Sequence, residues 1–334
     1  MFEPSAEVAP VTRTAPAAAD TALSDATRQR ILDSDAPNTT RAYTRWLEEF
    51  TAWCTDHGRS PLPATPETAA EFTSHLVDAG LGPASIEQAL AAIRTWHRNA
   101  GLKGQPDTEG ARRVLRTHRR QLAANGRRTH KATPVLVDAL REMVGTCDPT
   151  TLAGLRNRAI LVLGLAMMGR RSELAELDLR DVTETPDGLL VYVRSSKTDQ
   201  NAEGAEVPVP CGTNPDTDPV RVVRAWTDAL AARGVHTGRL FRSITRHGTV
   251  RSSLSTDAIN QIVKTAARRA GLSAADGYSG HSLRAGGATS AARAGAPLTA
   301  IAGQGRWSEK SPVVAGYIRS VEQWTDNPMN GIGL

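Results

Sequence analysis

The sequence predicts a mainly α-helical protein with two domains. Apolar residues recur every three to four positions through most of the 334 residues, which is the spacing of amphipathic helices. A stretch near residues 189–210 has instead the β-branched residues and the polar turn of a single antiparallel hairpin. A basic, turn-forming stretch at residues 125–134 separates two halves, each long enough to bury its own core.

The N-terminal half, residues 25–124, is predicted to be all-helical, with four or five helices. Trp46, Phe50 and Trp53 follow helical spacing, so we expect them in a hydrophobic core rather than stacked on a cofactor. The patterns and caps place helices at about residues 38–57, 65–80, 85–101 and 108–124. Residues 1–24 are rich in Ala and Pro and are predicted to form a disordered tail. They resemble neither a signal peptide nor a membrane anchor.

The C-terminal half, residues 135–319, is predicted to be a mixed α/β domain, mostly helical with a small antiparallel sheet. Residues 152–165 are apolar on most sides and should form its buried central helix. Strands at residues 189–194 and 206–210 flank a polar turn that carries Lys197. Residues 320–334 form a short tail with Trp324 and Met329 as apolar anchors. These anchors suit either a neighbouring protomer or the tail's own domain.

Basic residues concentrate where the two halves join. Although the net charge is only +5, eleven basic and two acidic residues lie between Arg94 and Lys131. The alternatives are a solvated basic face and a positive clamp around duplex phosphate. On the second interpretation, helices near residues 41–45 and 85–98 enter the major groove. The predicted DNA-binding residues are Arg41, Arg45, Arg94, Arg98, Arg112, Arg116, Arg127, Arg128 and Lys131.

The composition gives no indication of metal or nucleotide chemistry. The three cysteines are far apart and have no C-x-x-C spacing, so neither a disulfide framework nor a zinc site is predicted. No H-E-x-x-H pair and no G-x-x-x-x-G-K loop is present. We therefore expect no metal and no cofactor, and a cytoplasmic location.

Several residues could together form a phosphoryl-transfer site. His281 and Arg284 are three apart at a predicted helix start, so they should point the same way. Arg170 follows the buried helix and needs a carboxylate partner, for which Glu173 is the nearest candidate. A structural Arg–Glu bridge and a solvated His–Arg pair are the ordinary alternatives. Of the four tyrosines, Tyr317 alone lies in a C-terminal segment suited to a nucleophile.

In this order, Arg170 before Ser-Glu-Leu, Lys197, His281-x-x-Arg284, Trp307 and Tyr317 resemble the tyrosine site-specific recombinases, or phage integrases. The resemblance covers about residues 38–320, since the N-terminal half is similar to that family's SAM-like core-binding domain. Arg171 is an alternative first arginine, and Arg170 is preferred because it lies two positions before Ser172. Trp307 and Tyr317 are ten positions apart, where the family commonly has nine.

The resemblance implies a role for each matching residue. Arg170 and Arg284 would hold the non-bridging oxygens of the scissile phosphate, and His281 would act as a hydrogen-bond partner or general base. Lys197 would be the general acid for the leaving 5′ hydroxyl, and Tyr317 the nucleophile. Trp307 takes a position that is His or Trp in the family, and Glu173 is a supporting carboxylate.

The implied function is a metal- and ATP-independent DNA strand transferase. It would cut and rejoin duplex DNA at a specific site through a 3′-phosphotyrosyl intermediate, to integrate, excise or resolve a mobile element. The alternatives are a hairpin telomere resolvase, a type IB topoisomerase-like enzyme and a non-catalytic DNA-binding protein. The expected partners are duplex DNA and an accessory DNA-bending factor. We expect a monomer or weak oligomer free in solution, a homotetramer on paired sites and association with the nucleoid when bound, with no membrane partner.

Overall fold

The computed structural model describes residues 22–32, 37–127, 132–194, 203–308 and 311–317, together with residues 327, 329–330 and 332. The chain divides into two compact units at about residue 129, and each unit has its own hydrophobic core. In the described part of the chain, no helix is both long and apolar enough to cross a membrane.

The first unit is all-helical, as predicted. Phe50 and Phe72 are fully buried at its centre, with ring centroids 5.0 Å apart in an edge-on arrangement. Thr65 begins one helix by accepting a hydrogen bond from the Thr68 N–H, and Pro66 follows at the first helical position. The helices are α1 (Asp25–Leu32), α2 (Pro37–Asp56), α3 (Pro66–Asp78), α4 (Pro83–Asn99) and α5 (Glu109–Ala124).

The second unit packs helices around a central helix, α7. Its residues 159–163 are all buried, which confirms the predicted core helix. The helices are α6 (Val137–Gly145), α7 (Leu152–Ala166), α8 (Arg171–Glu176), α9 (Pro219–Ala231), α10 (Thr256–Arg269), α11 (Gly280–Arg293) and α12 (Leu298–Gly305). Residues 312–317 are also helical.

The sheet has three antiparallel strands in the order β1-β2-β3, where the sequence predicted two. The strands are β1 (Val182–Thr185), β2 (Gly188–Val193) and β3 (Ala205–Pro210). Leu189, Val191 and Val193 are buried on one face of β2, opposite Val207 and Val209 of β3. A two-stranded hairpin is only marginally stable in water, so the additional strand stabilises the pairing. The sequence Val-Thr-Glu-Thr of β1 is short and mostly polar, and it lacks the alternation that identifies a strand.

The chain enters the second unit against α11. The Thr133 N–H donates to the Gly277 carbonyl at 3.1 Å, and the Val135 N–H donates to the Ser282 carbonyl at 3.0 Å. This close approach requires glycine on the helix, because a Cβ at Gly286 would lie 1.9 Å from the Val135 carbonyl oxygen. Residues 132–135 therefore fix the start of α11, the helix that carries His281 and Arg284.

Candidate active site

The start of α11 positions His281 and Arg284. Ser279 caps the helix by accepting a hydrogen bond from the His281 N–H at 3.3 Å, and the Ser282 hydroxyl accepts one from the Ser279 N–H at 2.9 Å. His281 therefore lies in the first turn and is exposed, whereas Arg284 lies one turn deeper and is 1% exposed. The predicted pair shares one side of the helix but differs greatly in burial.

The C-terminal end of α7 binds side chains from the following helices. The last carbonyls of a helix have no partner within the helix, and leaving them buried and unpaired is costly. Three consecutive carbonyls here accept side-chain hydrogen bonds: Ala166 from Gln304 Nε2 at 2.9 Å, Met167 from Arg306 Nη1 at 3.2 Å and Met168 from Arg284 Nη1 at 2.5 Å. We call these three groups the α7 carbonyl end. These hydrogen bonds hold α11 and the end of α12 against the C-terminal end of α7.

Glu173 joins two arginines. Its carboxylate accepts a hydrogen bond from Arg170 Nη1 at 2.6 Å, from the Arg170 N–H at 2.8 Å and from Arg306 Nη2 at 2.6 Å. The Glu173 side chain is 2% exposed, so this is a buried ion triad. Burial alone would raise the pKa of Glu173, but Arg306 and the hydrogen bonds from Arg170 outweigh it and hold that pKa below its ordinary value. Glu173 is therefore ionised at neutral pH.

Arg284 is a buried cation under an aromatic ring. Its Cζ lies 3.7 Å from the centroid of the Trp307 ring, within the range of a strong cation–π contact. Burial, followed by repulsion from Arg170, lowers the pKa of Arg284 to about 9, so the guanidinium stays charged at neutral pH. Arg284 Nη2 is buried and has no hydrogen-bond acceptor among the described residues. An anion placed beside it would supply one.

Tyr317 completes the cluster from the helical residues 312–317. Its ring centroid is 5.9 Å from that of Trp307, and its hydroxyl oxygen lies 3.5 Å from His281 Nε2. Val314, one turn earlier in the same segment, is fully buried in a small apolar cluster with Met168. The Trp307 ring reaches this place because a Cβ at Gly305 would lie 1.8 Å from it, so only glycine leaves room there.

The two ionisable groups that face each other have opposite pKa shifts. Loss of solvent around the ring, followed by the charges of Arg284 and Arg170, lowers the pKa of His281 below its ordinary 6.5. Burial raises the pKa of Tyr317, and the charge of Arg284 only partly opposes this. At neutral pH the site therefore presents a neutral imidazole to a protonated phenol, which is the pairing that a general base and a nucleophile require.

The structure also bears on Lys197 and on the alternative arginine and tyrosines. Lys197 lies outside the described residues. Arg171 is exposed and lies 3.5 Å from Asp257, so the geometry favours Arg170 as the first arginine. Tyr278 is 7% exposed in the core of the second unit, and Tyr192 lies on β2, outside the apolar cluster that contains Tyr317. Within the described ranges, no three His, Cys, Asp or Glu side chains are arranged to hold a metal ion.

In the first unit, three of the predicted DNA-binding residues come together. Arg94, Arg112 and Arg116 line one cleft of about 300 Å³ between α4 and α5. Arg119 also lines it, paired with Glu87 at 2.5 Å; it belongs to the basic run of the sequence but was not among the predicted DNA-binding residues. The other predicted DNA-binding residues lie outside this cleft. Arg41 donates a hydrogen bond to the Asn38 side chain, Arg45 lies over the Trp46 ring, and Arg98 and Arg127 are exposed. Arg128 and Lys131 lie outside the described residues.

Comparison with known proteins agrees with this geometry. Residues 135–323 match the phage integrase family, and residues 31–104 match the N-terminal SAM-like domain of phage integrases. The chain belongs to the phage integrase family. It is a site-specific tyrosine recombinase, an enzyme that cleaves and rejoins DNA strands. The recombinase is 33% identical to an integrase/recombinase XerD homologue of Selenomonas ruminantium over 315 residues, 92% of this chain and 89% of that protein.

Solved structures show the same fold. XerH recombinase in a post-cleavage complex with a palindromic difH substrate has a TM-score of 0.59 and 15% identity, covering 91% of this chain and 84% of that one. A lambda integrase dimer bound to a COC′ core site has a TM-score of 0.56 and 18% identity, covering 87% and 92%. The two-unit architecture of the recombinase is therefore shared with these structures.

Replacing Glu173 with Gln should destabilise the second unit by about 3 kcal/mol, because it leaves two arginines without their shared carboxylate. Since the pKa of Glu173 is lowered by folding, its stabilising effect is complete above pH 4.5 and disappears as the pH falls through the folded-state pKa. Urea unfolding of both proteins across this pH range measures the difference. A constant difference at all pH values would show that the carboxylate charge is not involved.

Proposed function

We propose that the recombinase cuts one DNA strand by attack of Tyr317 on the scissile phosphate. The proposal rests chiefly on one observation: the Tyr317 hydroxyl lies 3.5 Å from His281 Nε2, beside the buried guanidinium of Arg284. Hydrogen bonds of catalytic groups are often long in the absence of substrate and shorten when it binds. A tyrosine, a base and a cation thus lie within reach of one phosphate.

The proposed reaction is balanced without a metal. The Tyr317 oxygen forms a bond to phosphorus and the P–O5′ bond breaks, which leaves a 3′-phosphotyrosyl link and a free 5′ hydroxyl. His281 takes the phenol proton, and Lys197 gives a proton to the leaving oxygen. Because the phosphate bond energy is kept in the protein–DNA link, a second 5′ hydroxyl can reverse the step without ATP.

Arg170 and Arg284 are proposed to stabilise the charge that builds on the non-bridging oxygens. Arg170 is held by two bonds to Glu173, and Arg284 is held by the Met168 carbonyl and the Trp307 ring. Donors that are oriented before the reaction do not have to reorganise during it, and each contributes several kcal/mol in comparable sites. Trp307 keeps Arg284 oriented, and Glu173 does the same for Arg170.

We propose for this chain the domain boundaries that its sequence predicts. Residues 1–24 are a tail, residues 25–124 bind DNA, residues 125–134 form a basic linker, residues 135–319 are catalytic and residues 320–334 contact a neighbouring protomer or their own domain. The solved structures of similar recombinases bound to DNA support duplex DNA as the partner, and they support assembly of several protomers on that DNA. We propose a homotetramer on paired sites, an accessory bending factor and a nucleoid-bound, cytoplasmic enzyme that serves a mobile element.

The Tyr317→Phe variant should form no covalent adduct. The assay uses nicked suicide substrates from a pool of candidate attachment sites and follows a protein–DNA band on a denaturing gel. The matched control is Tyr278→Phe, which changes a buried tyrosine outside the cluster and should keep the band.

Each other outcome of this assay has a definite meaning. A band that persists in Tyr317→Phe would assign the nucleophile to another residue. No band from the wild type, on DNA that it binds, would favour a non-catalytic DNA-binding protein. Relaxation of supercoiled DNA without a specific site would favour the topoisomerase-like alternative.

The cleavage rate should depend on pH through His281. Since the pKa of His281 lies below 6.5, the imidazole can accept a proton at neutral pH and loses this ability as the pH falls through that pKa. The single-turnover rate on saturating DNA should therefore rise with pH to a plateau, with its inflection below 6.5. His281→Gln should be slower and should lack the inflection. An unchanged inflection in this variant would assign it to another group.

The cleft between α4 and α5 should contribute to the salt dependence of DNA binding. Removal of one phosphate-binding side chain should reduce the slope of log K against log salt by about 0.9. We expect this reduction for Arg112→Gln and for Arg116→Gln, measured by fluorescence anisotropy. Arg113→Gln, an exposed change on α5 outside the cleft, is the matched control. Equal slopes for all variants would remove the cleft from the DNA-binding surface.

A further inference from the structure

Arg306 occupies an unusual backbone conformation for its residue type. It ends α12 with φ of 56° and ψ of 47°, in the left-handed region. Glycine is the residue most often found at such a helix end, because a Cβ is disfavoured there. The backbone conformation at this position favours glycine, so the presence of an arginine indicates a role for its side chain.

The Arg306 side chain is buried and holds three elements together. Its guanidinium donates to the Met167 carbonyl of the α7 carbonyl end, to the Gln304 carbonyl of α12 at 3.0 Å and to the Glu173 carboxylate of α8. The side chain is 8% exposed, so the charge is shielded from water and depends on these partners. A guanidinium fork can make these bonds at once, because its donors are fixed in one plane.

We infer that Arg306 is a positioning residue for strand cleavage, acting through Trp307 and Glu173. This inference rests on the proposed function of Tyr317 and Arg284. The hydrogen bonds of the Arg306 guanidinium to Glu173 and to two carbonyls fix the groups that would meet the phosphate.

The first route runs through the chain itself. Trp307 directly follows Arg306, and its N–H donates to the Ala302 carbonyl at 2.9 Å, so its backbone belongs to the same turn. The Trp307 ring then covers Arg284 and contacts Tyr317. The hydrogen bond of Arg306 to the α7 carbonyl end therefore fixes the distance between the Trp307 ring and the Arg284 guanidinium.

The second route runs through Glu173. Arg306 binds Glu173 Oε2, the oxygen that also accepts the Arg170 N–H, and leaves Oε1 to the Arg170 guanidinium. The carboxylate is thus held in one orientation by cations on two sides. Without Arg306 the carboxylate can rotate, and Arg170 loses the fixed partner that orients it.

The decisive variants are Arg306→Gly and Arg306→Ala. Glycine removes the guanidinium but suits the left-handed backbone, whereas alanine removes the guanidinium and keeps the unfavourable backbone. If the side chain matters, both variants lose cleavage although Arg306→Gly remains folded. The matched control is Arg233→Ala, which removes an exposed arginine whose guanidinium donates to the Ala229 carbonyl at the end of α9.

Two measurements are made on the full chain. The single-turnover cleavage rate at saturating DNA should fall about 100-fold in Arg306→Gly, as expected for a misplacement of about 1 Å, with the Kd for DNA within about 2-fold of the wild type. In protein labelled with 5-fluorotryptophan, the 19F resonance of Trp307 should shift in Arg306→Gly. The Trp307→Phe variant assigns that resonance, and the other tryptophan resonances should stay in place.

The outcomes separate this inference from the proposed function. A Trp307 resonance that does not move in Arg306→Gly overturns the inference, whatever the enzyme does with DNA. A shifted resonance with an unchanged cleavage rate also overturns it, because Arg306 would then be merely structural. If the wild type forms no adduct, the proposed function fails on its own, and the 19F result alone decides whether Arg306 positions Trp307.

Discussion

The geometry of the candidate active site depends on the unpaired carbonyls at the C-terminal end of α7. A buried helix has to end somewhere, and its last carbonyls need donors in a place that water does not reach. In this recombinase the donors are Gln304, Arg306 and Arg284, which come from two later segments of the chain. The same hydrogen bonds that satisfy the helix end also orient a cation and the turn beside it. Stability and site geometry therefore have one physical origin.

The balance of charge in the site follows from that arrangement. Arg170, Arg284 and Arg306 lie around one ionised carboxylate, Glu173, so positive charge remains in excess. Such an excess is unfavourable in a low-dielectric interior, and repulsion from Arg170 adds to burial in lowering the pKa of Arg284. A phosphate diester would relieve this repulsion when it binds. The protein thus keeps a destabilised group at the place where the proposed function would bring an anion, a pattern typical of functional sites.

Much of this could be predicted from the sequence, for identifiable reasons. The buried helix α7, the helical first unit and the common face of His281 and Arg284 follow from local periodicity, which short-range sequence spacing determines. The pairing of Arg170 with Glu173 is also local, three positions apart within one turn. These predictions needed no knowledge of how distant segments meet.

The features that were missed depend on distant contacts or weak local signals. Arg306 reaches Glu173 across 133 positions, and nothing in the Gly-Arg-Trp segment indicates a left-handed arginine. Strand β1 is polar and short, and only its pairing with β2 makes it a strand. Arg119 faces the same cleft as Arg94 because α4 packs on α5, a tertiary relation that the spacing within α5 does not contain. The Pro-Asp-Gly turn at residues 186–188 was the one local sign of β1.

The entry of the chain into the second unit has a mechanical consequence. Thr133 and Val135 are hydrogen-bonded to Gly277 and Ser282, and these two acceptors lie on either side of His281 in the sequence. A pulling force applied to the chain ahead of Thr133 is therefore borne first by the backbone around the His281 turn. The chain is thus attached to the second unit beside the turn that carries the imidazole, through two backbone hydrogen bonds and the buried side chain of Val135.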